Sequence, residues 1–105
     1  MLGVIYSRYS PGPHQTECSI EGQLKECYEY ARREGIEIIE EYIDRALSGT
    51  NDNRLRFQQM ISDSYHKHFQ CVLVYQLDRF ARNRYDSAVN KQKLNSNGVK
   101  VVSVM

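Results

Sequence analysis

The stretch CVLVYQLDRFARN, residues 71–83, decides the fold. Its first five residues are apolar on both alternating faces, the pattern of a strand covered on both sides in a parallel sheet. The run then breaks at once into the charged segment QLDRFARN. The same design opens the chain, where residues 2–6, LGVIY, run into Ser7, Arg8 and Ser10. A second strand is expected over residues 36–43 and a fourth over residues 99–104. Helices are expected between them. One runs from a Ser19 cap through Ile20, Leu24, Cys27 and Ala31 to Gly35, with Glu21 and Arg32-Arg33 placed to suit the helix dipole. A second covers residues 54–67, and a third runs from Asn83 to Asn97 and stops at Gly98. Pro11, Gly12 and Pro13 mark a loop, and residues 44–53, DRALSGTNDN, read as a second one. Strands alternating with helices define an α/β domain with a mostly parallel sheet.

Composition bounds the partners. At 105 residues the chain is one domain at most, with 41% hydrophobic and 26% charged residues, ordinary values for a soluble globular chain. No apolar run nears the ~18 residues of a membrane span. The N-terminus lacks the basic start, apolar stretch and cleavage site of a signal peptide. No membrane partner and a cytoplasmic location are therefore expected. Cys18, Cys27 and Cys71 form no CxxC spacing, and His14, His66 and His68 show no ligand spacing with them, so reduced thiols are expected, with Cys27 and Cys71 in the core rather than at a metal site. No GxGxxG or P-loop is present. A net charge of +1 means that, if DNA is a partner, this domain is not what grips it.

In an open parallel sheet, ligands bind beyond the carboxyl ends of the strands. Three polar clusters follow strands here, and the topology puts all three on one edge. They supply Arg8, Arg45, Arg54, Arg79 and Arg82, the acids Asp44 and Asp78, and serine hydroxyls. Arg79 and Arg82 share a face if helical, and Arg8 and Ser10 share one if extended. Arginine forks hold phosphate oxygens bidentately. A serine within such a ring has a phosphodiester to attack and charge stabilisation for the transition state. No histidine is placed as its base. The same residues also fit a solvated rim, with Asp78-Arg79 an ion pair and Ser10 a turn residue, so both readings stay open.

Four pieces in order, YSRYS, SIEGQL, SGTNDNRLRFQQMI and LDRFARN, resemble the catalytic domain of serine site-specific recombinases of the resolvase/invertase family, most of all the large serine integrases of phages and mobile elements. The resemblance spans nearly the whole chain. It implies a resolvase-like, three-layer α/β domain and site-specific DNA recombination, integration or excision, through a 5′-phosphoserine intermediate with no metal or cofactor. It makes Ser10 the nucleophile and Ser7 a bystander. Arg8, Arg54, Arg79 and Arg82 become phosphate-binding arginines, and Asp78 an acid that positions an arginine or assists proton transfer. Gln23 and Ser48 become site-proximal residues, Ser48 at the start of a mobile loop. Tyr9 stands where smaller members commonly carry valine.

The resemblance also implies DNA as partner and a homodimer or homotetramer. The oligomerisation helix and DNA-binding domains are expected beyond residue 105, since the chain ends inside the apolar stretch VVSVM, and residues 1–105 alone are expected to be inactive. The alternative is a non-enzymatic dimerisation or phosphate-ligand-binding module of the same fold. A flavodoxin-like nucleotide binder is a weaker third.

Overall fold

Strands and helices alternate along the chain: β1 (Leu2–Tyr9), α1 (Ile20–Glu34), β2 (Glu37–Arg45), α2 (Leu55–Ser64), β3 (Cys71–Val74), α3 (Arg84–Ser96) and β4 (Lys100–Ser103). The computed structural model describes residues 1–9, 20–45, 54–75 and 84–105. The sheet order is β2-β1-β3-β4, and every pairing is parallel. The fold is thus the α/β one that the sequence predicts, with its mostly parallel sheet entirely parallel among the described strands.

Side chains alternate across each strand and build two cores. Ile5 of β1 and Cys71 and Leu73 of β3 pack with Cys27 and Ala31 of α1. Val4 and Tyr6 of β1 and Val72 and Val74 of β3 pack with Phe57 and Met60 of α2 and Leu94 of α3. Helix α1 therefore covers one face and α2 with α3 the other, the three layers expected. Both thiols are buried and free.

Two glycines end helices. Gly35 and Gly98 take φ of 72° and 76°, the left-handed region that glycine enters at little cost. In each case the next amide reaches back to the last turn, Ile36 N–H to the Ala31 carbonyl and Val99 N–H to the Leu94 carbonyl, both at 2.8 Å. This is the Schellman pattern, and it aims Ile36 and Val99 into the core as β2 and β4 begin.

A bulge sets the phase of β2. Gly3 pairs with Ile38 but Val4 pairs with Glu40, leaving Ile39 without a partner in β1. Strand β2 is an edge, where bulges are favoured. With strict alternation Ile38, Tyr42 and Asp44 would share one face. The extra residue instead leaves Ile38 against α1 and turns Tyr42 and Asp44 toward α2.

Several expected boundaries move. Residues 44 and 45 belong to β2 and not to a loop, because β1 continues to Tyr9 and gives them partners, Arg8 with Asp44 and Tyr9 with Arg45. Helix α2 starts at Leu55 and ends at Ser64. His66 and His68 follow it on an exposed turn, their rings stacked at 5.8 Å. Tyr75 and Val104 lie just outside β3 and β4, and Val99 just before β4.

Candidate active site at the carboxyl end of β1

β1 and β3 are neighbours whose onward connections leave in opposite directions, to β2 on one side and to β4 on the other. Their carboxyl ends frame a topological switch point, where open α/β sheets bind ligands. Helix α1 lies on one face of this crevice and α3 on the other.

Arg8 is the penultimate residue of β1 and is half-buried. Its carbonyl accepts a hydrogen bond from Gln23 Nε2 at 3.2 Å. Gln23 is fully buried in the first turn of α1, so it ties that helix to the strand end from one face. Ser7 is also fully buried, and its hydroxyl has no hydrogen-bond partner among the described residues. A hydroxyl closed off in this way cannot meet a DNA backbone without a rearrangement of β1.

Arg54 approaches from the opposite face. It caps α2 in the left-handed conformation, φ 51° and ψ 52°, with no side-chain cap hydrogen bond. Its guanidinium turns inward, leaving the residue only 8% exposed. Arg54 Nε donates to the Tyr6 hydroxyl at 3.4 Å. Its guanidinium carbon lies 3.8 Å from the Phe57 ring centroid and 5.6 Å from that of Tyr6. The sequence alone leaves Arg54 open between a phosphate-binding cation and a solvated rim. The structure buries it against two aromatic rings, which suits a flat, weakly hydrated guanidinium.

Asp44 organises this side of the site. The Tyr6 hydroxyl donates to Asp44 Oδ2 at 2.8 Å, and the amides of Arg56 and Phe57 donate to Oδ1 and Oδ2 at 3.0 and 3.1 Å. The strand-end carboxylate thus does the work of an N-cap, satisfying amides that the first turn leaves open. Its charge suits the positive end of α2. Burial, with a smaller contribution from Asp44, pushes the Tyr6 phenol well above the usual tyrosine range despite Arg54. Tyr6 therefore stays neutral, donating to Asp44 while accepting from Arg54. The sequence placed Asp44 only as one acid of the polar edge, without a role, and did not count Tyr6 in the site. The available signal was a helix start with arginine at the cap and no acid in its first turn, which must find its acceptor elsewhere.

Of the expected site residues, Arg8, Gln23 and Arg54 are described and converge on the last four residues of β1. Ser10, Ser48, Asp78, Arg79 and Arg82 lie outside the described residues, as does the side chain of Arg45. Among the described residues no three acidic, histidine or cysteine side chains cluster to hold a metal, and no helix is long and apolar enough to cross a membrane.

Fold and site together define an α/β domain that gathers arginines at the carboxyl end of a switch-point strand. The family described as "Resolvase, N terminal domain" matches residues 3–105, and the chain belongs to it. No protein with a curated description matches the sequence. Among solved structures, the chain is similar to the N-terminal catalytic domain of TP901-1 integrase, at 31% identity and a TM-score of 0.84, over 99% of this chain and 77% of that one. It is equally similar to a resolvase family site-specific recombinase from Streptococcus pneumoniae, at 31% identity and a TM-score of 0.86, over 99% and 72% of the two chains. A third likeness is to the C-terminal catalytic domain of ISC1926 TnpA, an IS607-like serine recombinase, at 25% identity and a TM-score of 0.83, over 100% and 68%. The chain thus has the fold and family of serine recombinase catalytic domains, which implies a DNA recombinase.

Proposed function

We propose that the chain is the catalytic domain of a protein that at full length carries out site-specific recombination, of the integration or excision kind, by serine-nucleophile cleavage and religation of DNA. The observation that carries this reading is the convergence of Gln23 from α1 and Arg54 from α2 on the end of β1, with Ser10 one residue beyond Tyr9. The Ser10 hydroxyl attacks a DNA phosphorus. The bond from phosphorus to the 3′-oxygen breaks, the serine proton is lost, and the 3′-oxygen leaves as a hydroxyl. A 5′-phosphoserine link results. Religation reverses the step with a new 3′-hydroxyl, so no external energy source is needed. Arg8, Arg54, Arg79 and Arg82 neutralise the phosphate as charge builds in the transition state, and Asp78 positions an arginine or assists proton transfer. Gln23 holds the strand end, and Ser48 opens the segment leading to Arg54.

The near-neutral charge of these 105 residues supports placing the main grip on DNA elsewhere in the full-length protein, since phosphate contacts dominate DNA affinity. Recombination then needs a homodimer or homotetramer, and residues 1–105 alone are inactive. The test traps the cleaved complex of the full-length protein on DNA spanning its element's junction and maps the DNA-linked peptide by mass spectrometry. An adduct on Ser10 that Ser10→Ala abolishes, with DNA binding intact, is the expected result. An adduct on Ser7 would keep the chemistry and move the nucleophile. No adduct from protein bound to that DNA would favour a non-enzymatic module of the same fold.

A further inference from the structure

We infer that Phe57 is a positioning residue for Arg54, its ring face setting where the guanidinium meets the scissile phosphate. The inference rests on the reading of Arg54 as a phosphate-binding arginine. The 3.8 Å separation of the Arg54 guanidinium carbon from the Phe57 centroid is well inside the ~6 Å range of cation–π attraction, which strengthens as water is excluded. Phe57 is itself only 4% exposed. Its ring meets Tyr6 edge-on at 5.0 Å and 68°, and its amide is held by Asp44. The platform is therefore fixed from the core side before any substrate arrives.

Two features show that the stack is more than a resting place for a long side chain. An N-cap residue ordinarily takes an extended backbone. Arg54 instead takes the left-handed region, a strained conformation for a non-glycine residue that persists only where surrounding contacts over-determine it. Stacking engages the face of the guanidinium and leaves bidentate contact with phosphate oxygens to the in-plane donors, one of which, Nε, meets the Tyr6 hydroxyl. An aliphatic side chain at position 57 would fill the core as well but would leave the plane of the guanidinium unset.

The test replaces Phe57 with mono-, tri- and pentafluorophenylalanine in the full-length protein, keeping the ring's shape while draining negative charge from its face. Single-turnover DNA cleavage is measured with saturating protein, alongside DNA-site affinity and melting temperature. We expect the cleavage rate to fall stepwise with fluorine count, to about one-tenth at full fluorination, with affinity and melting temperature little changed. Phe57→Tyr should cleave within about twofold of the parent, since it retains an electron-rich face. A cleavage rate indifferent to fluorination, in a protein where Arg54→Ala cannot cleave, would overturn the platform and keep the role of Arg54. Unchanged cleavage by Arg54→Ala would overturn that role, and the platform with it. A fall in melting temperature that matches the fall in rate would make Phe57 a packing residue only.

Discussion

On the α1 face of the sheet, Ile5, Cys27, Ala31, Cys71 and Leu73 form a small core of aliphatic chains and thiols. On the other face, the same two central strands meet a larger, aromatic core threaded by polar contacts. There Asp44 holds Tyr6 and the start of α2, Tyr42 donates to Asp63 at 2.7 Å, and Asn97 donates to Ser64 at 2.9 Å. The core of the α1 face is held by area removed from water, which has no preferred direction, and its directional ties, Gln23 to the Arg8 carbonyl and Tyr28 to Glu41, lie outside that core. The opposite face is held by directional bonds between residues far apart in sequence, and Arg54 sits on it. A packing face tolerates repacking, whereas a bonded face fixes where particular atoms lie. That is what a site needs on the side that carries its cation.

The largest expected effect tests the packing face. Leu73→Ala removes a fully buried side chain from a central strand and should cost about 2–5 kcal/mol in denaturant unfolding. The amide exchange of Arg56 and Phe57 should stay as it was in the folded state. Acceleration at those amides would mean that the two faces are coupled through the sheet and that the contrast is too sharp. Asp44→Ala tests the bonded face. It strips an acceptor from one phenol and two amides and should cost about 2–3 kcal/mol, combining a lost cap with hydrogen bonds to a charged group. Here the Arg56 and Phe57 amides should exchange faster. Protection equal to the parent would show that water replaces the carboxylate without loss. Ser64→Ala should cost less, about 1–2 kcal/mol, by leaving the buried Asn97 amide without its acceptor. A double-mutant cycle with Asn97 should return a coupling of about 1 kcal/mol, and zero coupling would leave the α2–α3 contact to packing alone.

The contrast also explains what the sequence made legible. Apolar patterning identified all four described strands and all three described helices, with Gly35 and Gly98 marking the ends of two helices, because those elements are defined by burial, and burial follows periodicity. The α1 core could be read directly, Cys27 and Cys71 included. The boundaries that moved, Asp44 and Arg45 above all, depended on a partner strand running on to Tyr9. The bulge at Ile39 was not legible, since an extra residue in a short edge strand leaves no compositional trace. Yet it decides that Asp44 faces α2 and so can cap it. Arg8 and Arg54 were legible as members of one edge from the topology, and Gln23 as a site-proximal residue through the resemblance. The stacking of Arg54 on Phe57 was not, because it depends on a left-handed residue that no glycine announces. The α2–α3 face is thus where local rules run out, and where the site's geometry is set.

The smallest expected effect returns to the α1 face and concerns pH. Burial, followed by the nearby charge of Glu26, pushes the Cys27 thiol up to about 12 from its ordinary 9.0. Burial likewise raises Cys71. Below the ordinary value both the folded and the unfolded chain keep the proton, so Cys27 contributes no pH dependence there. Above it the unfolded chain releases a proton that the folded chain retains. The unfolded state then binds fewer protons, and stability falls as pH rises. The loss attributable to Cys27 should reach about 1 kcal/mol by about pH 9.5 and grow until the folded thiol itself titrates. Cys27→Ala should flatten this part of the alkaline limb while lowering stability at neutral pH through the lost sulfur contacts. Unfolding curves at neutral pH and on the alkaline limb separate the two effects. An alkaline slope unchanged by Cys27→Ala but flattened by replacing Cys71 would keep the titration on the α1 face, whereas a slope unchanged by both would point to Tyr6 and Tyr42, whose phenols are also raised by burial.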